Sequence, residues 1–103
     1  DLLSPVGDAV TSAYRLNANY PNPFNPSTTI SFNLPREEQI EISVYAVDGA
    51  KVATLASEVM TAGDHSVVWM GKDSNGASVA SGAYFYRLTT PSYSETRVMT
   101  LIK

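Results

Sequence analysis

The chain reads as short alternating stretches separated by turn residues. From Thr28 onward, Ile30, Phe32 and Leu34 alternate with Thr29, Ser31 and Asn33, the period of two that marks a half-buried strand. Pro35 ends that stretch. In QIEISVYAV, Ile40, Ile42 and Val44 fall on one face and Glu41, Ser43 and Tyr45 on the other. Asp48-Gly49 is a two-residue hairpin signal, and residues 51–56 (KVATLA) form the return strand. Residues 57–62 are expected to make a loop or one helical turn, broken by Gly63. HSVVWM then places His65, Val67 and Trp69 on one face. Residues 71–82 carry three glycines, Asp73 and Asn75-Gly76, a turn-rich connection. In AYFYRLTT, Tyr84, Tyr86 and Leu88 oppose Phe85 and Arg87. Pro91-Ser92 marks a turn, and YSETRVMTLIK is the last strand.

With a short extended piece at residues 14–16, this gives six to seven strands and no convincing helix. Turn signals recur at roughly the 8–12-residue spacing of an antiparallel sandwich. Such a fold buries one face of each sheet, which accounts for the alternation. Phe32, Ile42, Val44, Trp69 and Tyr86 are the predicted core, with Trp69 at its centre. A length of 103 residues suits one domain. Residues 1–13 show no period and read as a linker or the tail of an upstream domain, leaving residues 14–103 as the domain.

The least ordinary stretch is YPNPFNP, Tyr20 followed by Pro21, Asn22, Pro23, Phe24, Asn25 and Pro26. Asn before Pro is biased toward extended conformations, and each proline fixes φ and removes a donor. Asn side chains can bond nearby backbone instead. The stretch is therefore a rigid, non-sheet lead-in, with Phe24 and Tyr20 expected to cap the open end of the sandwich. Its PxxP spacing has no adjacent basic residue, which weakens a polyproline-ligand reading.

Composition narrows the function classes. Apolar residues make up 44 % and charged residues 17 %, enough for one core. The net charge of −3 and scattered basic residues argue against nucleic acid, which needs clustered Lys and Arg. Without cysteine there is no disulfide or thiolate metal site. No apolar run reaches the ~20 residues of a membrane span, and residues 1–13 carry no basic-then-apolar signal, so any export signal is expected upstream of Asp1. The single histidine, His65, has no GxSxG partner, and a partly buried or edge histidine is the better reading. Asp73 to Gly76 (DSNG) lacks the rest of a calcium loop and reads as a turn. Glu37, Glu38 and Glu41 read as a charged turn and a solvated strand face. No cofactor, metal or catalytic residue is expected, so the chain is expected not to be an enzyme.

Four blocks carry a family resemblance: YPNPFNPSTTISFNLP, ISVYAVDGAKVATL, AGDHSVVWMGKDSNGASVASGAYFYRL and TRVMTLIK. In this order they resemble the type IX secretion C-terminal sorting domain, type A, over about residues 16–103. The middle and later blocks also resemble the immunoglobulin-like domain of flagellar hook-capping proteins; the lead-in favours the sorting family. The resemblance implies an all-β, immunoglobulin-like antiparallel sandwich at the C-terminus of a larger exported bacterial protein. It implies recognition by the type IX outer-membrane machinery, cleavage by a sortase-like peptidase, and a secreted or cell-surface location reached through the periplasm. The matching positions are Tyr20 to Pro26, Gly49, Gly82, Tyr84, and, in the tail, Arg97, Leu101 and Lys103. Ala46 and Met70 stand where the family commonly has Asp, and a local change in turn bonding is expected at Ala46. The last strand is the expected address; at a sheet edge it would accept a partner strand. The alternatives are a carbohydrate-binding module, using Tyr45, Phe85 and Tyr93, or a spacer module attached to a secreted enzyme.

Overall fold

The computed structural model describes residues 13–103. The linker expected over residues 1–13 lies, but for Ala13, outside the described residues. Seven strands form two antiparallel sheets packed face to face, an immunoglobulin-like sandwich: β1 (Arg15–Leu16), β2 (Thr28–Leu34), β3 (Glu38–Tyr45), β4 (Lys51–Met60), β5 (Gly63–Trp69), β6 (Gly82–Thr90) and β7 (Tyr93–Leu101). One sheet has the order β1-β2-β5, the other β4-β3-β6-β7.

The alternation in the sequence decides what lies between the sheets. Ile30, Phe32 and Leu34 of β2 meet Ile40, Ile42 and Val44 of β3 and Tyr84, Tyr86 and Leu88 of β6; all are buried. Met99 and Leu101 of β7 complete this cluster around Trp69. All five predicted core residues belong to it. The Trp69 indole packs edge-on to Tyr84, with ring centroids 5.3 Å apart, and its Nε1–H donates to the Lys72 carbonyl at 2.8 Å. A buried Trp keeps its one donor satisfied in this way.

Three sequence expectations are corrected. Residues 57–60 are neither loop nor helix but the second half of β4, paired with Glu38 to Glu41 of β3. The strand continues because β3 offers backbone partners that far, and two register shifts, which skip Val52 and Leu55, let it bend as it goes. Thr61-Ala62 then turns the chain into β5, in the other sheet. The second correction concerns Tyr20. It does not cap the sandwich: it is 80 % exposed, whereas Phe24 is 1 % exposed. Tyr20 exchanges backbone bonds with Thr29 at 3.0 and 2.9 Å. Directly paired residues share a face, and Thr29 faces out, so Tyr20 does too.

The β3–β4 connection is longer than a two-residue turn. Gly49 N–H donates to the Ala46 carbonyl and Ala46 N–H to that of Ala50, with Gly49 at φ +92°. This is a type I turn closed by a left-handed residue, the usual three-residue hairpin loop. Asp48 Oδ1 accepts from Ala50 N–H at 3.0 Å.

Candidate recognition surface

The lead-in and the tail, distant in sequence, meet at one place. Phe24 forms a parallel bridge to Leu101. Its N–H donates to the Thr100 carbonyl at 3.0 Å, and its carbonyl accepts from Ile102 N–H at 2.9 Å. Asn22 Oδ1 accepts from Thr100 N–H at 3.1 Å. Prolines on either side of Phe24 have no N–H to offer, so a single residue and an Asn side chain do the pairing. The Phe24 ring enters the core 5.8 Å from Trp69.

Gly71 locks the same corner, a position that sequence reasoning treated only as part of a turn. It is buried at φ +70°, and a Cβ there would lie 3.1 Å from the Pro26 carbonyl oxygen and 3.6 Å from Leu101 Cδ2. Turn glycines are visible in a sequence; a distant carbonyl occupying the space of a Cβ is not.

Other contacts tie the start of the domain to β7. Arg97 Nε–H donates to the Leu16 carbonyl at 2.7 Å. The Tyr86 hydroxyl donates to the Asn17 carbonyl at 2.7 Å, and burial pushes its pKa up. Asn19 is buried and donates to Thr28 Oγ1 at 3.0 Å and to the Pro21 carbonyl at 3.3 Å, holding the first bend of the lead-in. Tyr14 stacks on Tyr93, 4.4 Å between centroids, and donates to Glu38 at 2.5 Å. The Tyr93 hydroxyl bonds Glu95. Burial, with Glu95 adding to it, pushes the Tyr93 hydroxyl up to about 12.

The sequence-predicted positions thus separate. Phe24, Tyr84 and Leu101 are core residues, Tyr84 also donating to the Ala80 carbonyl at 2.6 Å. Pro21, Asn22, Pro23, Asn25, Pro26, Arg97 and Lys103 are exposed. Lys103 N–H donates to Ser81 Oγ at 3.1 Å. Gly82 opens β6 opposite Leu101; Gly49 sits in the hairpin at the other end of β3.

The outer face of the larger sheet does not gather a stacking platform. Tyr45 and Phe85 line a shallow depression of about 430 Å³ with Arg87 and Thr96, but the Arg87 guanidinium lies 4.9 Å from the centroid of the Tyr45 ring. Tyr93 is engaged with Tyr14. Beside Tyr45, Lys51 Nζ donates to Glu41 at 2.7 Å, which with the Ser43 hydroxyl lowers the Glu41 pKa and raises that of Lys51. His65 hydrogen-bonds the Thr61 carbonyl through Nε2 at 2.7 Å and packs near Phe32. Asp73 Oδ1 accepts from Asn75 and Ala77 N–H, closing the turn that the sequence predicts. Among the described residues no group of three His, Cys, Asp or Glu could hold a metal ion, and no helix is long and apolar enough to cross a membrane.

Residues 20–93 match the model of the FlgD Ig-like domain. No curated protein matches the sequence significantly. Among solved structures, PorZ of Porphyromonas gingivalis, described as an essential bacterial surface component of the type-IX secretion system, superposes with a TM-score of 0.61 at 24% identity over 84% of this chain and 11% of its own. Dimeric latent PorU from Porphyromonas gingivalis gives 0.71 at 16% identity over 87% of this chain and 9% of its own. FlgD from P. aeruginosa gives 0.58 at 28% identity over 72% of this chain and 57% of its own. The chain spans about a tenth of the length of PorZ and PorU, and at these identities those two likenesses speak for the fold.

Proposed function

The chain belongs to the family of FlgD Ig-like domains, and from that footing we propose that it is a non-catalytic C-terminal sorting domain of a larger exported bacterial protein. Its partners are the type IX translocation machinery, a sortase-like peptidase, and a cargo domain in the same chain; its destination is the cell surface or medium, by way of the periplasm and outer membrane. The observation that carries this reading is the meeting of lead-in and tail. The lead-in, the block that favours the sorting resemblance over the flagellar one, joins the tail at Phe24 and Leu101 and leaves Ile102 and Lys103 exposed. The likeness to domains within PorZ and PorU supports it. The sugar-binding alternative is weakened by Arg87 over Tyr45 and by the Tyr14–Tyr93 stack.

An export assay tests the reading. The 103-residue chain is fused behind a periplasm-targeted fluorescent reporter in a bacterium with a type IX system, and in the same strain without its translocon. Deleting residues 97–103 would also remove Met99 and Leu101 from the core, so the comparison is between strains and with the bare reporter. The fusion is expected at the surface or in the medium only when the translocon is present. Retention in the periplasm of both strains refutes the sorting role.

A further inference from the structure

We propose that the outer edge of β7 over Ser94, Thr96 and Val98 is a strand-acceptor site, filled during export by one extended segment of the translocation machinery. This deepens the sorting reading and rests on it. β7 ends the sheet order β4-β3-β6-β7. Backbone groups in a strand point alternately to its two sides. Thr100 and Ile102 turn theirs outward, as their bonds to Asn22 and Phe24 establish. Ser94, Thr96 and Val98 therefore face the same way. Among the described residues nothing bonds their backbone on that side. The lead-in thus adds one strand residue beside the end of β7 and leaves the rest of the edge open.

A groove of about 460 Å³ lies there, lined by residues that include Ala18, Asn19, Asn22, Thr96, Arg97 and Val98. The Arg97 bond to the Leu16 carbonyl crosses beside it. Exposed edges are normally blunted by bulges, charges or prolines. β4, the opposite edge, has two register shifts and carries Lys51 and Glu58. β7 keeps an unbroken nine-residue register with β6, and its outward-bonding residues are Ser, Thr and Val. The occupant follows from this chemistry. Only a polypeptide in extended form offers N–H and C=O groups at strand spacing, and the five residues of it needed to reach Ser94, Thr96 and Val98 span roughly 17 Å. Val98 is 55 % exposed beside Phe85, its direct partner across β6 and β7, which calls for an apolar side chain on the outer face of the incoming strand.

The export assay carries the test. Thr96→Pro removes one outward donor, at an edge position where proline is tolerated. Thr96→Lys leaves the backbone intact and blunts the edge by charge. Ser57→Pro makes the equivalent change on β4. Thermal melts and Trp69 fluorescence of the purified chains establish folding; if Thr96→Pro does not fold, Thr96→Lys decides. Folded Thr96→Pro is expected to export about tenfold less, the scale of one lost backbone hydrogen bond, and folded Thr96→Lys is expected to export less through its charge at the edge, with Ser57→Pro unchanged. A photo-crosslinker at Val98 should join the unsubstituted fusion to a translocon protein. Export of folded Thr96 variants at the unsubstituted level, or an equal loss with Ser57→Pro, overturns the strand site and leaves sorting intact. Periplasmic retention of the unsubstituted fusion whether or not the translocon is present overturns both.

Discussion

Phe24→Ala separates the core role of the lead-in from its backbone role. The ring is 1 % exposed and touches Trp69, while its N–H and carbonyl pair with Thr100 and Ile102. Alanine keeps those two bonds and deletes the ring. A buried Phe→Ala change costs about 3–5 kcal/mol, the transfer term plus the cavity. The corner is already tight at Gly71, where a Cβ would lie 3.1 Å from the Pro26 carbonyl oxygen, so collapse around the void is limited and the upper half of that range is expected. Set against a total stability of about 5–15 kcal/mol, this leaves the domain marginal. With a urea slope of about 1.5 kcal/mol per molar, the midpoint should fall by about 3 M. Trp69 emission reports the transition directly, since its indole loses a ring neighbour. Phe24→Leu should recover most of the loss, because volume-conserving swaps usually cost under about 1.5 kcal/mol. A loss below about 1 kcal/mol for Phe24→Ala would refute the reasoning: the lead-in would then be fastened by its backbone alone.

Trp69→Ala should cost about 3–5 kcal/mol in the same denaturation assay, and more if the Lys72 carbonyl is left without a donor; a loss under about 1 kcal/mol would place the indole outside the core. The Tyr93 hydroxyl, held up to about 12 against an ordinary value near 10, gives a pH prediction with a definite sign. The raised value favours the neutral phenol in the folded state, so its contribution is fully present below pH 10 and is lost as pH rises from 10 through 12. The loss is at most about 2–3 kcal/mol, and stability measured over that range should fall less steeply in Tyr93→Phe.

Where burial differs between the two faces of a strand, the sequence announces the strand. β6 alternates buried and less buried positions throughout, and β2 and β3 do so except at the buried polar residues Asn33 and Ser43; the apolar–polar alternation of the sequence made each legible. The second half of β4 was not, because Ser57, Glu58 and Val59 are all exposed and an edge strand with both faces wet carries no period. Its pairing is dictated by β3, and the skipped residues Val52 and Leu55 shift the face presented partway along. Tyr20 and Phe24 illustrate a second limit. Both are aromatic neighbours of proline, and composition cannot rank them. Which one turns inward depends on their partners, Thr29 for Tyr20 and the distant Leu101 for Phe24. The candidate site was legible as two blocks of residues and not as one place.

The geometry links foldedness to the address that export would read. β7 supplies Met99 and Leu101 to the core and at the same time presents the open edge at Ser94, Thr96 and Val98. Phe24 pairs with β7 through its backbone while its ring packs against Trp69, and Trp69 stands at the end of β5, paired with Thr28 of β2 in the smaller sheet. A partly folded chain would therefore offer the tail residues without the groove that Ala18, Asn19 and Asn22 help to wall. On the proposed reading, a machine that binds the β7 edge beside the lead-in distinguishes a finished sandwich from an extended tail of identical sequence. The isolated peptide of residues 93–103 should accordingly fail to compete for export, because it lacks β6 to hold its inner backbone groups and has no lead-in beside it.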